Sequence, residues 1–348
     1  MGYMYGPPLD VTKSMAFPPV WADEEGHSVV GLFFSRQTVF VAILVVGCWV
    51  VPLAVPQRQK FPAFCCTLDQ PYLEDKENTV PNITNWLVCS IVPCTIHAVY
   101  CLWIQWRASR VNKNSAAVPE TRGEVLLGTS AIVPLPQNSY AQDTVAFLRG
   151  MLLSASVAEG FAAGLLKRTV GSPRPHFFSR CGWDGSGCAE APEVGAFQSF
   201  PSGHATLAFS TLGFTSLYLI GKCQLAVASA AEPPRLPRRS SCHAAPGEDA
   251  LAEAAIHPTS YPLAQATASK NDFFLDCRDC LAILALAPVL LACWVAGTRV
   301  ADHAHHTADV VAGSALGLAA AGLFHARYFH GAFEADPALA GKPRWLQR

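Results

Sequence analysis

Three short motifs carry residue types that together can handle a phosphate ester. They are Lys167-Arg-Thr-Val-Gly-Ser-Pro-Arg174-Pro175, Pro201-Ser202-Gly203-His204, and the stretch from Arg299 through His305 and His306 to Asp309. Arginine and lysine neutralise phosphoryl oxygens, and free N–H groups at the start of a helix can hold a further oxygen. Histidine can act as a nucleophile or move protons near neutral pH. The combination predicts phosphoryl-transfer chemistry.

Each motif also has a structural interpretation when it is taken alone. Lysine and Arg-Pro are common where a helix leaves a membrane, and Pro-Ser-Gly-His is also typical of a turn followed by a helix cap. The histidine cluster could instead bind a metal, with ligands drawn from His303, His305, His306, Asp302 and Asp309. Against a metal, the three cations of the motifs would repel a divalent ion. We therefore expect no metal and no other cofactor.

The elements that must position these motifs are apolar segments. The chain is 51% hydrophobic and only 15% charged, whereas soluble domains carry about 25% charged residues. Six segments approach the roughly 20 apolar residues that a membrane-spanning helix needs: Thr38–Val55, Trp86–Ile104, about Ala146–Lys167, Gly203–Gly221, Leu281–Gly297 and Thr307–Phe324. The predicted fold class is all-α, a polytopic membrane protein with a six-transmembrane-helix bundle.

Two of these segments contain residues that are unusual in a membrane. The third holds Arg149, which is expected to reach back to the interface, and Glu159, which is expected to face the bundle interior and to have a partner. For Glu159, a hydrogen bond between helices is favoured over catalysis. The fifth segment contains Pro288, which a packed transmembrane helix can tolerate.

The expected domain organisation is one membrane domain with polar additions. Residues 1–37 form a cytosolic N-terminal segment that is not a cleavable signal peptide, 38–328 the six-helix domain, and 329–348 a cytosolic tail. Residues 222–278, rich in Ala, Pro and Ser, are expected to be a largely disordered cytosolic insertion. The short apolar stretch Val125–Leu135 is too short to span and is assigned to the interface. The net charge of −1 gives no indication of nucleic-acid binding.

The basic residues predict an orientation. If the N-terminus is cytosolic, most Lys and Arg residues fall on the cytosolic side, in agreement with the positive-inside rule. All three motifs then lie at the opposite, luminal or extracellular face. Whether the membrane is an endomembrane or the plasma membrane is left open, as is assembly into a homo-oligomer.

These motifs resemble the type 2 phosphatidic acid phosphatases, or lipid phosphate phosphatases, whose superfamily includes the vanadium haloperoxidases. The family pattern is Lys-x6-Arg-Pro, Pro-Ser-Gly-His and Ser-Arg-x5-His-x3-Asp on a six-helix core. The resemblance covers about Thr38 to Phe324, and flanking residues such as those of 174–181 and 305–313 are similar to the eukaryotic lipid-directed branch. Two departures are Thr298, where Ser is usual, and Ser172, where an Arg is often found.

The resemblance implies a role for each motif residue. His305 attacks phosphorus and forms a phosphohistidine, His204 protonates the leaving alkoxide and then activates water, and Asp309 orients His305. The phosphoryl oxygens are held by Lys167, Arg174, Ser202, Gly203 and Arg299. The expected substrate is phosphatidate in the bilayer, cleaved to diacylglycerol and phosphate without a metal.

The choice of nucleophile lies between two adjacent histidines. His305 and His306 stand four and three residues before Asp309, so helical proximity does not choose between them. Family spacing from Arg299 selects His305. Adjacent positions of a helix differ by about 100° in direction, so the two rings are not expected to reach one phosphorus atom together.

Other functions remain as alternatives. The same residues would suit a diacylglycerol pyrophosphate or sphingoid phosphate phosphatase, or a lipid phosphotransferase in which a lipid alcohol replaces water. The six expected spans argue against a haloperoxidase, and the intact motifs argue against an inactive membrane interaction protein. In the outer loops, Cys181 is predicted to pair with Cys188, with Cys65 and Cys66 as competing partners. The sequon at Asn82 is expected to be unmodified.

Overall fold

The described part of the chain is helical. The computed structural model describes residues 36–59, 61–63, 66–116, 138–231, 278–331, 334, 339 and 341–344. These residues form α1 Arg36–Val50, α2 Asn82–Ala116, α3 Asn138–Ala155, α4 Gly164–Val170, α5 Phe177–Cys181, α6 Gly203–Ala231, α7 Arg278–Ala285, α8 Ala287–Ala301 and α9 Thr307–Tyr328. Within these ranges no β-strand occurs, and β-type pairing is limited to two isolated bridges. The all-α prediction is confirmed for them.

Four helical runs among the described residues are long and apolar enough to cross a membrane. They are Gln37–Ala54, Asn82–Trp106, Tyr140–Val170 and Thr307–Tyr328. α8 is apolar but shorter. The four runs correspond to the first, second, third and sixth predicted spans, and the count of six stays a prediction.

α6 is the central helix of the bundle. It packs against α2, α3, α8 and α9, and most of its side chains from Gly203 to Gly221 are buried. Buried hydroxyls are tolerated here because they donate to carbonyls one turn earlier, as Thr211 does to Leu207 at 3.0 Å and Thr215 to Thr211 at 2.8 Å. These hydroxyls lower the mean hydropathy of a helix whose surroundings are mostly protein.

The fifth predicted span is divided into two helices. α7 ends at Ala285 and α8 begins at Ala287, so the prediction of one helix across Leu281–Gly297 is wrong at this point. Pro288, in the first turn of α8, has no N–H to donate and would clash with the carbonyl four residues earlier. The N–H of Val289 is satisfied by the hydroxyl of Ser216 on α6, at 3.0 Å.

Two helices extend beyond their predicted ends. α2 runs from Asn82 to Ala116, past the predicted end at Ile104, and α6 continues to Ala231. Residues 222–231, assigned from the sequence to a disordered insertion, are therefore helical. The remainder of that insertion, residues 232–277, lies outside the described residues, as do the N-terminal segment up to residue 35 and the apolar stretch Val125–Leu135.

The third membrane run changes its winding midway. Between α3 and α4, residues Ser156–Ala163 form a π-helix that contains Glu159. Such segments are rare and are frequently found at functional sites. α3 packs on α6 and α9, and α4 carries Lys167.

One end of the bundle is closed by a buried ion pair. The ammonium of Lys222 on α6 lies 2.5 Å from a carboxylate oxygen of Asp143 on α3 and also donates to the carbonyl of Gly341 at 2.8 Å. The hydroxyl of Tyr218 donates to the second carboxylate oxygen at 2.6 Å, and His97 lies 3.1 Å from that hydroxyl. The described part of the predicted tail therefore packs against α6 through Gly341. At 1.5 Å per residue, this network lies roughly 28 Å along α6 from Gly203.

Candidate active site

The three motifs meet at a pocket of about 300 Å³ at the other end of α6. Its wall includes Lys167, Arg174, Gly203, His204, Arg299 and His305. Two other predicted site residues, Ser202 and Asp309, are not part of that wall, and both are buried behind it. The structure thus brings six of the eight predicted residues to one cavity.

Lys167 and Arg174 are placed by the end of α4 and the loop after it. α4 is capped by Gly171, whose φ of +63° suits glycine and whose missing side chain leaves room for the carbonyl of Arg58. The Arg174 guanidinium donates to the carbonyls of Gly195 at 3.0 Å and Ala304 at 3.2 Å. Burial lowers the pKa of Arg174 to about 10, so the group is still protonated at neutral pH. Carbonyl acceptors orient this cation without neutralising it.

Arg299 is held by an acidic partner that the motif itself supplies. Its guanidinium forms an ion pair with Asp302 and also contacts the hydroxyl of Thr298, at 3.3 Å. The Asp302 carboxylate further accepts from the hydroxyl of Thr79 at 2.7 Å and from its N–H at 3.0 Å. Thr298, the departure from the usual Ser, therefore keeps its hydroxyl contact, and Asp302 ties Arg299 to the loop before α2.

The first backbone N–H groups of α6 have no acceptor within the helix. Its first helical hydrogen bond is made by the N–H of Thr206, to the carbonyl of Ser202 at 3.0 Å. The N–H groups of Gly203, His204 and Ala205 precede that bond, so the helix itself supplies no acceptor for them. The N–H of Ser202 donates to the carbonyl of Asp309 at 2.9 Å, and its buried hydroxyl has no hydrogen-bond partner among the described residues.

His305 faces the pocket in a defined tautomer. Its Nδ1 lies 2.7 Å from the carbonyl oxygen of Ser199, and a carbonyl can only accept, so Nδ1 carries the proton. The lone pair is then on Nε2. Burial, reinforced by the charges of Arg174 and Lys167, holds the pKa of His305 well below 6.5. The imidazole is therefore neutral, the form that can attack phosphorus.

The expected contact between His305 and Asp309 is not made. Nδ1 of His305 and Oδ2 of Asp309 are 3.9 Å apart, so the prediction that Asp309 accepts a hydrogen bond from His305 is wrong. The prediction treated both residues as helical, but α9 begins at Thr307 and His306 caps it. Asp309 instead accepts from the Ser199 hydroxyl at 2.5 Å and from the ring of His306 at 3.1 Å.

Asp309 still reaches His305 indirectly, because both bind Ser199. The carboxylate accepts from the hydroxyl of Ser199, and the carbonyl of Ser199 accepts from His305. The side chain of His306, next to His305 in the sequence, is 37% exposed and is absent from the pocket wall. The two adjacent rings therefore point to different surroundings.

His204 also donates to a carbonyl. Its Nε2 lies 3.2 Å from the carbonyl oxygen of Val80, in the loop before α2. Nε2 therefore carries a proton, and Nδ1 is the nitrogen left for proton transfer.

Several residues of the pocket were not predicted from the sequence to belong to the site. The loop before α2 and the start of that helix supply Tyr72, Leu73, Asp75, Asn78, Asn82, Asn85 and Trp86. His176, two residues after Arg174, donates from Nδ1 to the carbonyl of His303 at 3.1 Å. Burial and the nearby Arg174 lower the pKa of His176 to about 4. Of the missed residues only Glu159 had been marked by its depth in an apolar run, and it faces the pocket with Lys167 as its partner.

The histidine cluster does not converge on a common point. His305 faces the pocket, His306 binds Asp309, and the carbonyl of His303 accepts from His176. In the described residues no group of three or more His, Cys, Asp or Glu side chains has the geometry to hold a metal ion. The described residues thus provide no set of ligands for the metal site considered from the sequence.

The loop between the first two motifs carries a disulfide. Cys181 is bonded to Cys188, as predicted. The bond joins α5 to the loop after it, and Phe177, Phe178 and Phe197 form a small buried cluster beside it. This cluster lies on the chain between Arg174 and the start of α6, so it braces the loop that connects two walls of the pocket.

The sequence profile of the PAP2 superfamily matches residues 147–331, which is more than half of the chain. The chain belongs to this superfamily. The matched region contains every motif residue, from Lys167 to Asp309. No solved structure matches the chain.

Curated PAP2 relatives resemble about half of the chain. Lipid phosphate phosphatase 2 of Arabidopsis thaliana is 30% identical over 199 residues, covering 54% of this chain and 52% of the relative. Probable diacylglycerol pyrophosphate phosphatase 1 of Schizosaccharomyces pombe is 24% identical over 200 residues, covering 52% and 53%. The chain therefore spans about half the length of the curated relatives it matches.

Proposed function

We propose that this PAP2 protein is an integral membrane lipid phosphate phosphatase that hydrolyses phosphatidate to diacylglycerol and phosphate through a phosphohistidine. The observation that carries the proposal is His305: a neutral imidazole, protonated on Nδ1, in a pocket that also holds Lys167, Arg174 and Arg299. A nucleophile surrounded by cations suits a dianionic ester. The names of the curated relatives support the lipid phosphate class.

The first half of the reaction forms the covalent intermediate. Nε2 of His305 attacks phosphorus, and the bond between phosphorus and the lipid oxygen breaks. Nδ1 of His204, the nitrogen left free by the bond to Val80, takes up a proton as the dianionic ester binds, and the departing alkoxide takes that proton. Diacylglycerol leaves, and the phosphoryl group stays on His305.

Water completes the reaction. Nδ1 of His204, now neutral, takes a proton from a water molecule, whose oxygen attacks phosphorus and displaces Nε2 of His305. Inorganic phosphate is released, and both histidines return to their starting states. Lys167, Arg174, Arg299 and the N–H groups at the start of α6 hold the phosphoryl oxygens as charge builds on them.

The proposed cationic site needs no metal ion. Phosphoryl transfer is dominated by positioning and by neutralisation of charge, and three guanidinium or ammonium groups at one pocket can supply both. Activity is accordingly expected to persist in excess chelator and to be inhibited by vanadate, which can adopt the trigonal-bipyramidal shape of phosphoryl transfer. Loss of activity in chelator that magnesium or zinc restores would revive the metal interpretation.

The proposed topology has six crossings. α6 and the pair α7 and α8 add two spans to the four long apolar runs, with 1–37, 222–278 and 329–348 on the cytosolic side and the pocket on the luminal or extracellular side. Protease sites placed at residue 240 should be cleaved only from the cytosol in intact cells. Cleavage from the other side would move the pocket to the cytosolic leaflet.

The experiment that tests the function is a substrate panel. Phosphate release by purified protein in detergent micelles is measured on phosphatidate, lysophosphatidate, a sphingoid phosphate and diacylglycerol pyrophosphate, with His305→Ala prepared identically as the background. We expect phosphatidate to be hydrolysed by the wild type only. Preference for diacylglycerol pyrophosphate would change the proposed substrate, but the protein would still be a lipid phosphate phosphatase. Transfer of phosphate to a lipid alcohol would favour the phosphotransferase alternative. Equal release by wild type and His305→Ala would refute the proposal.

A further inference from the structure

Glu159 is a buried carboxylate inside the pocket that the proposed reaction does not use. It lies in the π-helical segment, and its Oε1 is 3.5 Å from the ammonium of Lys167. Its other oxygen, Oε2, is buried and has no hydrogen-bond partner among the described residues. A carboxylate with one long ion pair and one unsatisfied oxygen is only weakly fixed.

The position of Glu159 is set against the first residue of α6. A methyl group added to Gly203 would lie 2.5 Å from Oε1 of Glu159 and 2.6 Å from the ammonium of Lys167. Both charged groups therefore touch the backbone at the point where the free N–H groups of α6 would receive a phosphoryl oxygen. The carboxylate of Glu159 therefore lies close to the place where a phosphoryl oxygen would bind.

The other two cations of the pocket are held differently. Arg174 is bound by carbonyls, which carry no net charge. Arg299 has the carboxylate of Asp302, but that carboxylate is also bound by Thr79 and is thereby fixed. Glu159 differs from Asp302 in this respect. It pairs with Lys167, which is proposed to bind phosphate, and its second oxygen has no hydrogen-bond partner among the described residues.

We propose that Glu159 is a positioning residue that acts as a resident counter-ion. In the free enzyme it holds Lys167 against the start of α6, and after hydrolysis it competes with inorganic phosphate for that ammonium and so promotes product release. The inference rests on the proposed phosphatase function for the meaning of product release. The competition for Lys167 concerns any phosphate-like anion and can be measured without turnover.

The test compares the binding of inorganic phosphate and of vanadate to purified wild type and Glu159→Gln, by calorimetry and by stabilisation against heat. Glutamine keeps the shape of the side chain and removes its charge, so we expect both anions to bind about tenfold more tightly. A tenfold change corresponds to about 1.4 kcal/mol of binding free energy. Stronger product inhibition in the turnover assay should accompany it. A merely structural role would weaken binding.

Two further variants make the comparison specific. Glu190→Gln removes a charge from an exposed position of the loop between α5 and α6 and should leave anion binding unchanged. Glu159→Asp keeps the charge but withdraws it from Gly203, so it should tighten binding by less than Glu159→Gln, and it serves if the glutamine variant does not fold. Unchanged or weaker anion binding in the Glu159 variants would overturn the inference.

Failure of this inference is distinguishable from failure of the proposed function. If the wild type hydrolyses no lipid phosphate but Glu159→Gln still binds phosphate more tightly, the counter-ion role stands and the function is wrong. If the wild type hydrolyses phosphatidate and Glu159→Gln binds phosphate no more tightly, the function stands and the counter-ion role is wrong.

Discussion

A lysine–carboxylate pair lies at each end of α6, and the two pairs differ in how fully they are hydrogen-bonded. At one end, the ammonium of Lys222 lies 2.5 Å from Asp143 and also binds the carbonyl of Gly341. At the other end, Lys167 lies 3.5 Å from Glu159, which keeps an oxygen unpaired. The first pair is packed under aromatic rings, whereas the second lines a pocket of about 300 Å³.

This difference separates a structural charge from a functional one. A buried ion pair whose partners are all satisfied has no capacity left to bind a ligand, but it makes removal of either partner costly. A pair that is long and partly unsatisfied can exchange its partner for an incoming anion. The residue types alone do not distinguish the two pairs, because each consists of a lysine and a carboxylate. Their hydrogen bonds do distinguish them.

The largest expected effect falls on the pocket end and separates the adjacent histidines. His305→Ala should abolish both turnover and trapping of a phosphoenzyme, because the proposed covalent bond to phosphorus is made by its Nε2. His306→Ala should retain a measurable fraction of both, since His306 lies off the wall and supports Asp309. Trapping with a radiolabelled lipid phosphate measures both. The reverse result would require reassignment of the nucleophile.

The next effect falls on the closed end and should appear in stability, not in chemistry. Asp143→Asn leaves the buried ammonium of Lys222 without its counter-charge, which should lower the free energy of unfolding by about 3–5 kcal/mol. Thermal unfolding in detergent measures the loss. The folded fraction should keep the kcat of the wild type.

A second variant sharpens this prediction. Asp143→Asn combined with Lys222→Met leaves no buried charge uncompensated, so the double variant should be more stable than Asp143→Asn alone. A large loss of kcat in either variant would mean that the closed end is coupled to the pocket.

Gly203→Ala should have an intermediate effect at the pocket. The added methyl would lie 2.5 Å from Oε1 of Glu159 and 2.6 Å from the ammonium of Lys167, so the pair must move. Displacement of a phosphate ligand by about 1 Å can reduce kcat/KM by about 10²-fold. The matched control is Gly322→Ala, a helical glycine in α9 whose added methyl would meet nothing within 4 Å. Equal activity of the two variants would contradict the tight approach at Gly203.

The smallest expected effect is on the pH profile. The proposed nucleophile is the neutral imidazole of His305, which is present above its folded-state pKa and is lost as pH falls through that pKa. Because burial and then Arg174 and Lys167 lower that pKa well below 6.5, the acid limb of kcat/KM due to His305 should lie well below 6.5. Arg174→Gln removes one of these charges and should move the limb to higher pH.

Arg168→Gln provides the control for that shift. It removes an equal charge from the helix residue beside Lys167, and Arg168 is not part of the pocket wall. The limb should stay in place in this variant. If the acid limb of the wild type lay at the ordinary pKa of histidine, about 6.5, the proposed effect of burial on His305 would be contradicted.

The set of residues that line the candidate site was largely predictable from sequence, because it depends on residue types at fixed spacings. Lys167, Arg174, His204, Arg299 and His305 all reach one pocket wall. Its hydrogen bonds were not predictable, because they depend on where α9 begins. A start at Thr307 makes His306 the cap, leaves Asp309 on Ser199, and gives His305 a carbonyl in place of the expected carboxylate.

The limits of the helices were missed for a related reason. Hydropathy predicted that α6 would stop before Lys222, but the ion pair with Asp143 allows the helix to continue past that lysine. The opposite error concerns Pro288, where an apolar stretch hid the break between α7 and α8. In both cases the deciding partner lies far away in the sequence, on α3 for Lys222 and on α6 for Val289.

The π-helical segment Ser156–Ala163 has a consequence for the angular register of the third membrane run. Each residue of an α-helix advances the direction of its side chain by about 100°, and a π-helix advances it by less. Deleting one residue from this segment would therefore turn Lys167 by up to roughly a quarter of a revolution while leaving Asp143 where it is. The segment sets the phase between the two ends of the run, so that the closed network and the pocket can each receive their own residue from one helix.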